Sequence, residues 1–460
     1  MRATSEHERK LDAPTGFRLP PLGGRPLARR IFTSVYYDVP GASLAIAGIT
    51  LRRRTEQGRG VWQLKLPAED SRLEIEAEGG PERPPEQLLA LLQAHLRHGP
   101  LERIAELRTD RRGELVARNG TTAEVTVDEV AVLDASRVSE TFVEVEVELR
   151  TGNPAQLDAI ADEVASAGAE PGSGLPKVFR ALGRENGNAP SARTPFAELR
   201  SRLRDQLREI ERNDPGTRLG RDPESLHDMR VAVRRLRAML RAGKELVAAD
   251  TSELDGRLKE LGGVLGEVRD LDVLLARLED EAGELGGDDA RHARSLFAAL
   301  RTERSCARAR LLGALRSDEY LALLDDTARM IDDLRPSASG ASLDALADKA
   351  FAKARKAVHR LPEEPSDEQL HAVRKKGKRA RYAAELAGRK KFVRRAKALQ
   401  DVLGEHQDGA VAAARLRRLA VEASPEQALA VGRLVEREEE RRTRARRAWP
   451  RAWQKLRKAI

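Results

Sequence analysis

Two hydrophobic rhythms divide the chain. In its first part, short segments are β-branched or patterned with period two: Glu6–Lys10, Thr50–Arg54, Val61–Leu66, Ala123–Val132 and Phe142–Leu149. Alternate side chains of a strand share a face, so this pattern predicts β-strands. Pro85–His98 and Pro154–Ala167 repeat their apolar residues every three or four positions and predict inserted helices. The stretch Gly183–Pro195 is rich in Gly, Pro, Asn and Ser and reads as a linker. From Phe196 to Ile460 the helical rhythm is nearly continuous, with breaks at 213–223, 283–288, 334–341, 361–365 and Ser424-Pro425. The expected organisation is multidomain. An α+β domain covers 1–183, a linker 184–195, and an all-α helix bundle 196–460.

The charged residues of the strands fall on shared faces. Glu6, Glu8 and Lys10 form one row and Arg52 and Arg54 another. Glu124, Thr126 and Asp128 make a third, and Glu144, Glu146 and Glu148 a fourth. The opposite face of the last strand is Val143, Val145, Val147 and Leu149. If the apolar faces pack outward against the helices, the charges point into a closed antiparallel barrel. A barrel of about eight strands leaves room for one small ligand. Enclosed charge is costly unless it is paired. A triphosphate with a divalent cation satisfies both signs, because Lys and Arg neutralise phosphate oxygens while carboxylates hold the hard cation. For any one row the competing explanation is the solvated face of a sheet.

The helical part repeats itself. Leu226-His227-Asp228-Met229-Arg230 recurs as Leu370-His371-Ala372-Val373-Arg374, 144 residues later (371 − 227). Leu265-Gly266-Glu267-Val268-Arg269-Asp270 recurs as Leu403-Gly404-Glu405-His406-Gln407-Asp408, 138 residues later (403 − 265). Such a period suggests a duplicated bundle, about 196–340 and 341–460, and not a solenoid. In the first copy His227, Arg230, Arg234, Arg237 and Arg241 make one helical stripe; in the second, His371, Arg374, Lys378 and Arg381 do. Like charges at this spacing repel, and a bound polyanion removes the repulsion. A solvated basic face, with the histidines near helix starts acting as caps, is the competing explanation.

Composition narrows the partners. The net charge is +9, which favours acidic ligands. Aromatic residues are only 3%, which disfavours single-stranded nucleic acid. The single cysteine, Cys306, excludes an intrachain disulfide. Residues 1–10 carry no apolar core of the signal-peptide kind, and no apolar run approaches a membrane span. The expectation is a soluble cytoplasmic protein.

The first part resembles the CYTH domain of the triphosphate tunnel metalloenzymes. The resemblance is carried in order by Glu6-x-Glu8-x-Lys10, Arg52-x-Arg54, Lys65, Arg108 and Arg111, Asp128, Glu144-x-Glu146, and Lys177 with Arg180 in PKVFRAL. It implies metal ligands at Glu6, Glu8, Asp128, Glu144 and Glu146, with Mg²⁺ or Mn²⁺ as cofactor. It also implies phosphate contacts from Lys10, Arg52, Arg54, Lys65, Arg111 and Lys177, and catalysis by Glu6, Glu8 and Lys10. The family often has Ser where this chain has Pro176, and either Arg111 or Arg112 faces inward. The second part resembles the CHAD domain, a helical family associated with polyphosphate. That resemblance implies phosphate contacts from His227, Arg230, Arg234, Arg237, His371, Arg374, Lys378 and Arg381. Arg269, Asp270, His406 and Asp408 form a second tier. The expected function is metal-dependent hydrolysis of inorganic triphosphate with polyphosphate binding by the helices, and polyphosphate granules are a place where both would be used. The alternatives are a non-catalytic polyphosphate adaptor, or action on thiamine triphosphate, an RNA 5′ end or ATP.

Overall fold

The computed structural model describes residues 1–67, 71–97, 99–134, 137–172, 177–178, 194–338 and 340–459. Pro176, Arg180 and the linker positions 184–193 lie outside these residues, as does His98. The chain divides into two compact units, Met1–Pro190 and Ser191–Ile460.

The first unit is built on one antiparallel sheet. Its strands are β1 (Arg2–Glu6), β2 (Glu8–Ala13), β3 (Arg25–Pro26), β4 (Arg30–Asp38), β5 (Thr50–Glu56), β6 (Arg59–Pro67), β7 (Arg72–Ala77), β8 (Glu102–Arg118), β9 (Thr121–Asp134), β10 (Arg137–Thr151) and β11 (Glu170–Pro171). The hydrogen-bonded order is β1-β7-β6-β5-β4-β8-β9-β10-β2-β11, with β3 added on β8. The expected closed eight-stranded tunnel is therefore corrected: the ladder has eleven strands and two open ends. The reason lies at His7. The first alternating segment is two strands: β1 pairs with β7, Glu6 opposite Arg72, and β2 pairs with β10, Lys10 opposite Glu146. Between them the His7 carbonyl accepts from the Leu149 N–H at 2.9 Å. One chain segment thus begins on one side of the sheet and continues on the other. The curl is joined there through the backbone at residues 6–8, not by a ladder.

Turn chemistry sets the register. The β5–β6 and β8–β9 hairpins turn on Gln57-Gly58 and Asn119-Gly120, all four residues at positive φ, as two-residue loops require. The register then places charges directly opposite one another: Arg111 with Asp128, Asp128 with Glu144, and Lys65 with Glu74. On the outer face, Leu11, Val125, Val127, Val143, Val145 and Val147 form one buried cluster with Leu157, Ile160 and Val164 of a helix at Ala155–Ser166. Each such side chain contributes about 1.5–3 kcal/mol by leaving water. The helix expected at 85–98 is broken at Leu92 into Glu86–Leu91 and Gln93–Leu96, and a one-turn helix spans Ser43–Ile46. In chain order these four are α1 (43–46), α2 (86–91), α3 (93–96) and α4 (155–166).

The second unit contains α5 (Pro195–Leu219), α6 (Pro223–Ala242), α7 (Ser252–Leu285), α8 (Gly287–Leu315), α9 (Asp318–Asp333), α10 (Leu343–His359), α11 (Asp367–Leu386), α12 (Lys390–Leu419) and α13 (Pro425–Arg457). The break expected from 213 is later than the proline there suggests, because α5 runs through Pro215 to Leu219. Buried Asp214 holds that turn, accepting from Arg218 Nε at 2.5 Å and from the Tyr320 hydroxyl at 2.8 Å. The chain reverses at Gly220, where φ is 68°. Helices α6 and α11 are each 20 residues long and start on side-chain caps, Asp222 and Ser366. Helices α7 and α8 stand in sequence order as α12 and α13 do, 138 residues on.

Candidate functional site

The charged face of the sheet is organised around one ammonium group. Lys177 Nζ lies 2.8 Å from Asp128, 2.9 Å from Glu144 and 2.8 Å from Glu146. Lys10 Nζ approaches the same cluster, at 2.9 Å from Glu146 and 3.3 Å from Glu144. Arg111 donates to both carboxylate oxygens of Asp128, at 2.7 and 2.6 Å, and also reaches Glu146. Burial alone would push the Glu146 carboxyl up. Lys10, Lys177 and Arg111 outweigh it and hold it well below the usual carboxylate range. Asp128 is lowered in the same way, against its burial, by Lys177 and Arg111.

Beyond this cluster the balance of sign changes. Lys65 pairs with Glu6 at 2.5 Å and Glu74 at 3.0 Å. Arg52 donates to Gln63 and to the Tyr36 hydroxyl at 2.8 and 3.1 Å. Arg54 lies 3.6 Å over the Phe32 ring, with Glu56 at 3.1 Å. Burial, Arg52, Arg30 and Arg111 together pull the Arg54 guanidinium down to about 10. Its positive charge is thus poorly compensated, and an anion would correct that. Glu148 is perturbed the other way: burial, with neighbouring Glu6 and Glu146, raises it to about 7 against the pull of Arg150.

One cavity of about 230 Å³ takes in Glu6, Glu8, Lys10, Arg52, Arg54, Lys65, Arg111, Glu146 and Lys177. Asp128 and Glu144, 0% and 3% exposed, stand behind that lining and act on it through Lys177 and Arg111. Arg111 is the inward residue. Arg112 is exposed and pairs with Asp110 at 3.6 Å. Arg108 shares the outward phase of β8 and is exposed, so it does not join the site. Sequence reasoning missed Arg72, Glu74 and Glu76, which line the same cavity. Their signal was present: Arg72-Leu73-Glu74-Ile75-Glu76 is a period-two segment with its charges on one face. Glu148, further along the face of Glu144 and Glu146, also reaches the cavity. By donor type the carboxylates suit Mg²⁺ or Mn²⁺. In the arrangement seen here they hold ammonium and guanidinium groups, and no three His, Cys, Asp or Glu side chains among the described residues converge on a separate cation position.

The helical unit carries a second concentration of charge. Arg234 Nε of α6 donates to the Tyr382 hydroxyl of α11 at 2.9 Å, which brings the two stripes together. Burial, Arg374, Arg234, Arg230 and Arg381 pull Lys378 down to about 7. The Nε atoms of Arg374 and Arg381 are buried without hydrogen-bond partners. The glycine of each Leu-Gly-Glu motif makes room for an arginine: a Cβ on Gly404 would meet Arg374 at 3.1 Å, and one on Gly266 would meet Arg230 at 3.5 Å. Asp270 pairs with Arg230 at 3.0 Å. Three residues depart from the expected grouping. Arg237 is drawn to Asp255 at 3.0 Å, Arg269 to Glu224 at 3.3 Å, and His406 is buried 3.3 Å from Asp367. His227 and His371 are both lowered chiefly by burial and then by neighbouring cations.

Comparison with known proteins agrees with this division. A family model described as CYTH domain matches residues 5–178, and one described as CHAD domain matches residues 201–417. Two uncharacterized proteins of Mycobacterium tuberculosis strains are each 30% identical over 463 residues, covering 93% of this chain and 90% of their own length. Among solved structures, PptA from Streptomyces chartreusis is 26% identical, with a TM-score of 0.49, and aligns over 56% of this chain and 99% of its own. The CHAD domain from the plant Ricinus communis is also 26% identical, with a TM-score of 0.47, over 59% of this chain and 97% of its own. No helix among the described residues is long and apolar enough to cross a membrane. The chain belongs to the family of proteins in which a CYTH domain is followed by a CHAD domain.

Proposed function

We propose that the first unit hydrolyses inorganic triphosphate with the help of a divalent cation, and that the α6 and α11 faces bind polyphosphate. The observation that carries the first part is one cavity with a carboxylate cluster beside an under-compensated arginine, Arg54. Arg52, Arg54, Lys65 and Arg111 would neutralise phosphate oxygens. Glu6 and Glu8, with Glu146, would hold Mg²⁺ or Mn²⁺, which when bound polarises a phosphoryl oxygen and makes water more acidic, and Asp128 and Glu144 would support that set through Lys177 and Arg111. Glu148, close to neutrality, is suited to accept the proton of the attacking water. Lys10 and Lys177 fix the Glu146 carboxylate.

A base-free substrate fits best. The aromatic rings lining the cavity are Phe32 and Tyr36, and arginines already lie against both, Arg54 at 3.6 Å and Arg52 at 5.9 Å. Among the described residues that leaves no open platform for adenine or thiazolium. The second reading is a non-catalytic polyphosphate adaptor. The full pairing of Asp128, Glu144 and Glu146 with cationic side chains favours it. A turnover panel of tripolyphosphate, thiamine triphosphate, ATP and RNA with a 5′-triphosphate separates the two: hydrolysis of none leaves the adaptor. For the helical unit, competition between polyphosphate and duplex DNA at equal phosphate concentration is decisive, and ready displacement by DNA removes the polyphosphate assignment.

A further inference from the structure

The two halves of the helical unit treat one position differently. In the second half Asp367, the first residue of α11, is gripped from α13 by Arg442 at 2.5 Å and Arg446 at 3.3 Å, and His406 Nε2 of α12 lies 3.3 Å away. Shifted by the repeat offsets, these four positions are Pro223 of α6, Arg304 and Arg308 of α8, and Val268 of α7. Both arginines are kept, and the carboxylate between them is gone.

The first half compensates only in part. Arg304 turns to Asp272 of α7 at 2.6 Å, where the second half has Ala410. Arg308 has no carboxylate partner among the described residues. Its guanidinium donates to the carbonyls of Thr217 and Arg218 at 3.3 and 2.9 Å. A cavity of about 280 Å³ opens at this point, lined by Thr217, Arg221, Asp222, Leu226, Asp272, Arg304 and Arg308. The Thr217 hydroxyl is fully buried and has no hydrogen-bond partner among the described residues. The N-terminal turn of α6 borders the same space and adds its positive helix end. Burial and then Arg304 lower Arg308, against the pull of Asp272.

We infer that this cavity binds one phosphate-type oxyanion, in the place that the Asp367 carboxylate fills in the second half. Arg308 and Arg304 would donate charge-assisted hydrogen bonds, and the Thr217 hydroxyl would gain its missing partner. The site lies on the Leu226 side of α6, whereas Arg234 on the basic stripe reaches across to α11. Its lining includes none of His227, Arg230, Arg234 or Arg237 of the basic stripe, so it does not depend on the polyphosphate assignment. Free orthophosphate and the terminal phosphoryl group of a chain share the required chemistry.

Hydrogen exchange of the full chain tests this, comparing orthophosphate, tripolyphosphate and chloride at equal ionic strength. Orthophosphate or tripolyphosphate should slow exchange at residues 217–226 relative to chloride. Protection by orthophosphate assigns the site to free phosphate, and protection by tripolyphosphate alone assigns it to a chain end. Pro223→Asp restores the carboxylate of the second half. It should protect the segment without added anion and abolish the response. Thr217→Val, which keeps the shape, should weaken the response about tenfold, the loss of one hydrogen bond to a charged group. Arg374→Ala, which weakens the polyphosphate face, should leave protection of residues 217–226 in place, and loss of that protection in this variant overturns the inference. Equal exchange in all three salts, or a Pro223→Asp protein that responds like wild type, overturns the inference.

Discussion

Lys177 Nζ lies 2.8 Å from Asp128 Oδ2, and Asp128 is 0% exposed. A carboxylate removed from water to that degree depends on the cations that reach it, here Lys177 and Arg111. Lys177→Met should therefore cost about 3–5 kcal/mol, the usual penalty for breaking one side of a buried ion pair. Thermal or urea unfolding of the full chain measures it. An unchanged first-unit transition would show that Asp128 finds its compensation elsewhere.

Arg54 should behave in the opposite way. Its charge is disfavoured in the free protein by burial and by Arg52, Arg30 and Arg111. Arg54→Gln should leave stability unchanged or slightly raised. It should also weaken tripolyphosphate binding by about tenfold to a hundredfold, as expected when a hydrogen bond to a charged group is lost. Calorimetric titration beside a melting curve reads both. Loss of stability together with unchanged affinity would remove Arg54 from the phosphate contacts.

Much of this was legible in the chain. Period two placed Glu6, Lys10, Arg52, Arg54 and Glu146 on common faces, and those faces do meet in one cavity. The split at His7 was not legible, because Glu6-x-Glu8-x-Lys10 keeps its alternation across it; only the different partners of β1 and β2 reveal the change. Leu92 is apolar and keeps the helical rhythm, so nothing local marked the break between α2 and α3. The separation of Arg237 and His406 from the phosphate stripes depends on Asp255 and Asp367, which come from other helices. A stripe read on one helix cannot see them.

Glu148 gives a pH dependence with a definite sign. Its folded value, about 7, lies above its ordinary 4.5. Its contribution to stability is therefore fully present below about 4.5 and is lost as pH rises to about 7. Ionisation also adds negative charge to the cavity. Cation-free tripolyphosphate binding should weaken as pH passes through this window, and Glu148→Gln should flatten the trend. A Glu148→Gln protein with the wild-type pH profile would contradict this.

Lys378 predicts proton uptake. Its folded value of about 7 lies below its ordinary 10.5, because of burial and the arginines of α6 and α11. Folding is favoured by this group above 10.5, and that contribution is lost as pH falls toward 7. A polyanion placed on the face would raise Lys378 again. Polyphosphate binding near pH 8 should take up a fraction of a proton, seen as a binding enthalpy that varies with the ionisation heat of the buffer. Lys378→Met should abolish that variation.

In the proposed function, carboxylates and cations from different strands act jointly on one triphosphate. Phosphate release from tripolyphosphate with Mg²⁺ or Mn²⁺, for wild type beside Glu6→Ala, tests it most directly. Turnover by the wild type that falls at least about a hundredfold in Glu6→Ala is the predicted result, on the scale of losing a group that supports the transition state. Equal rates for the two proteins, or no release by either, would contradict it.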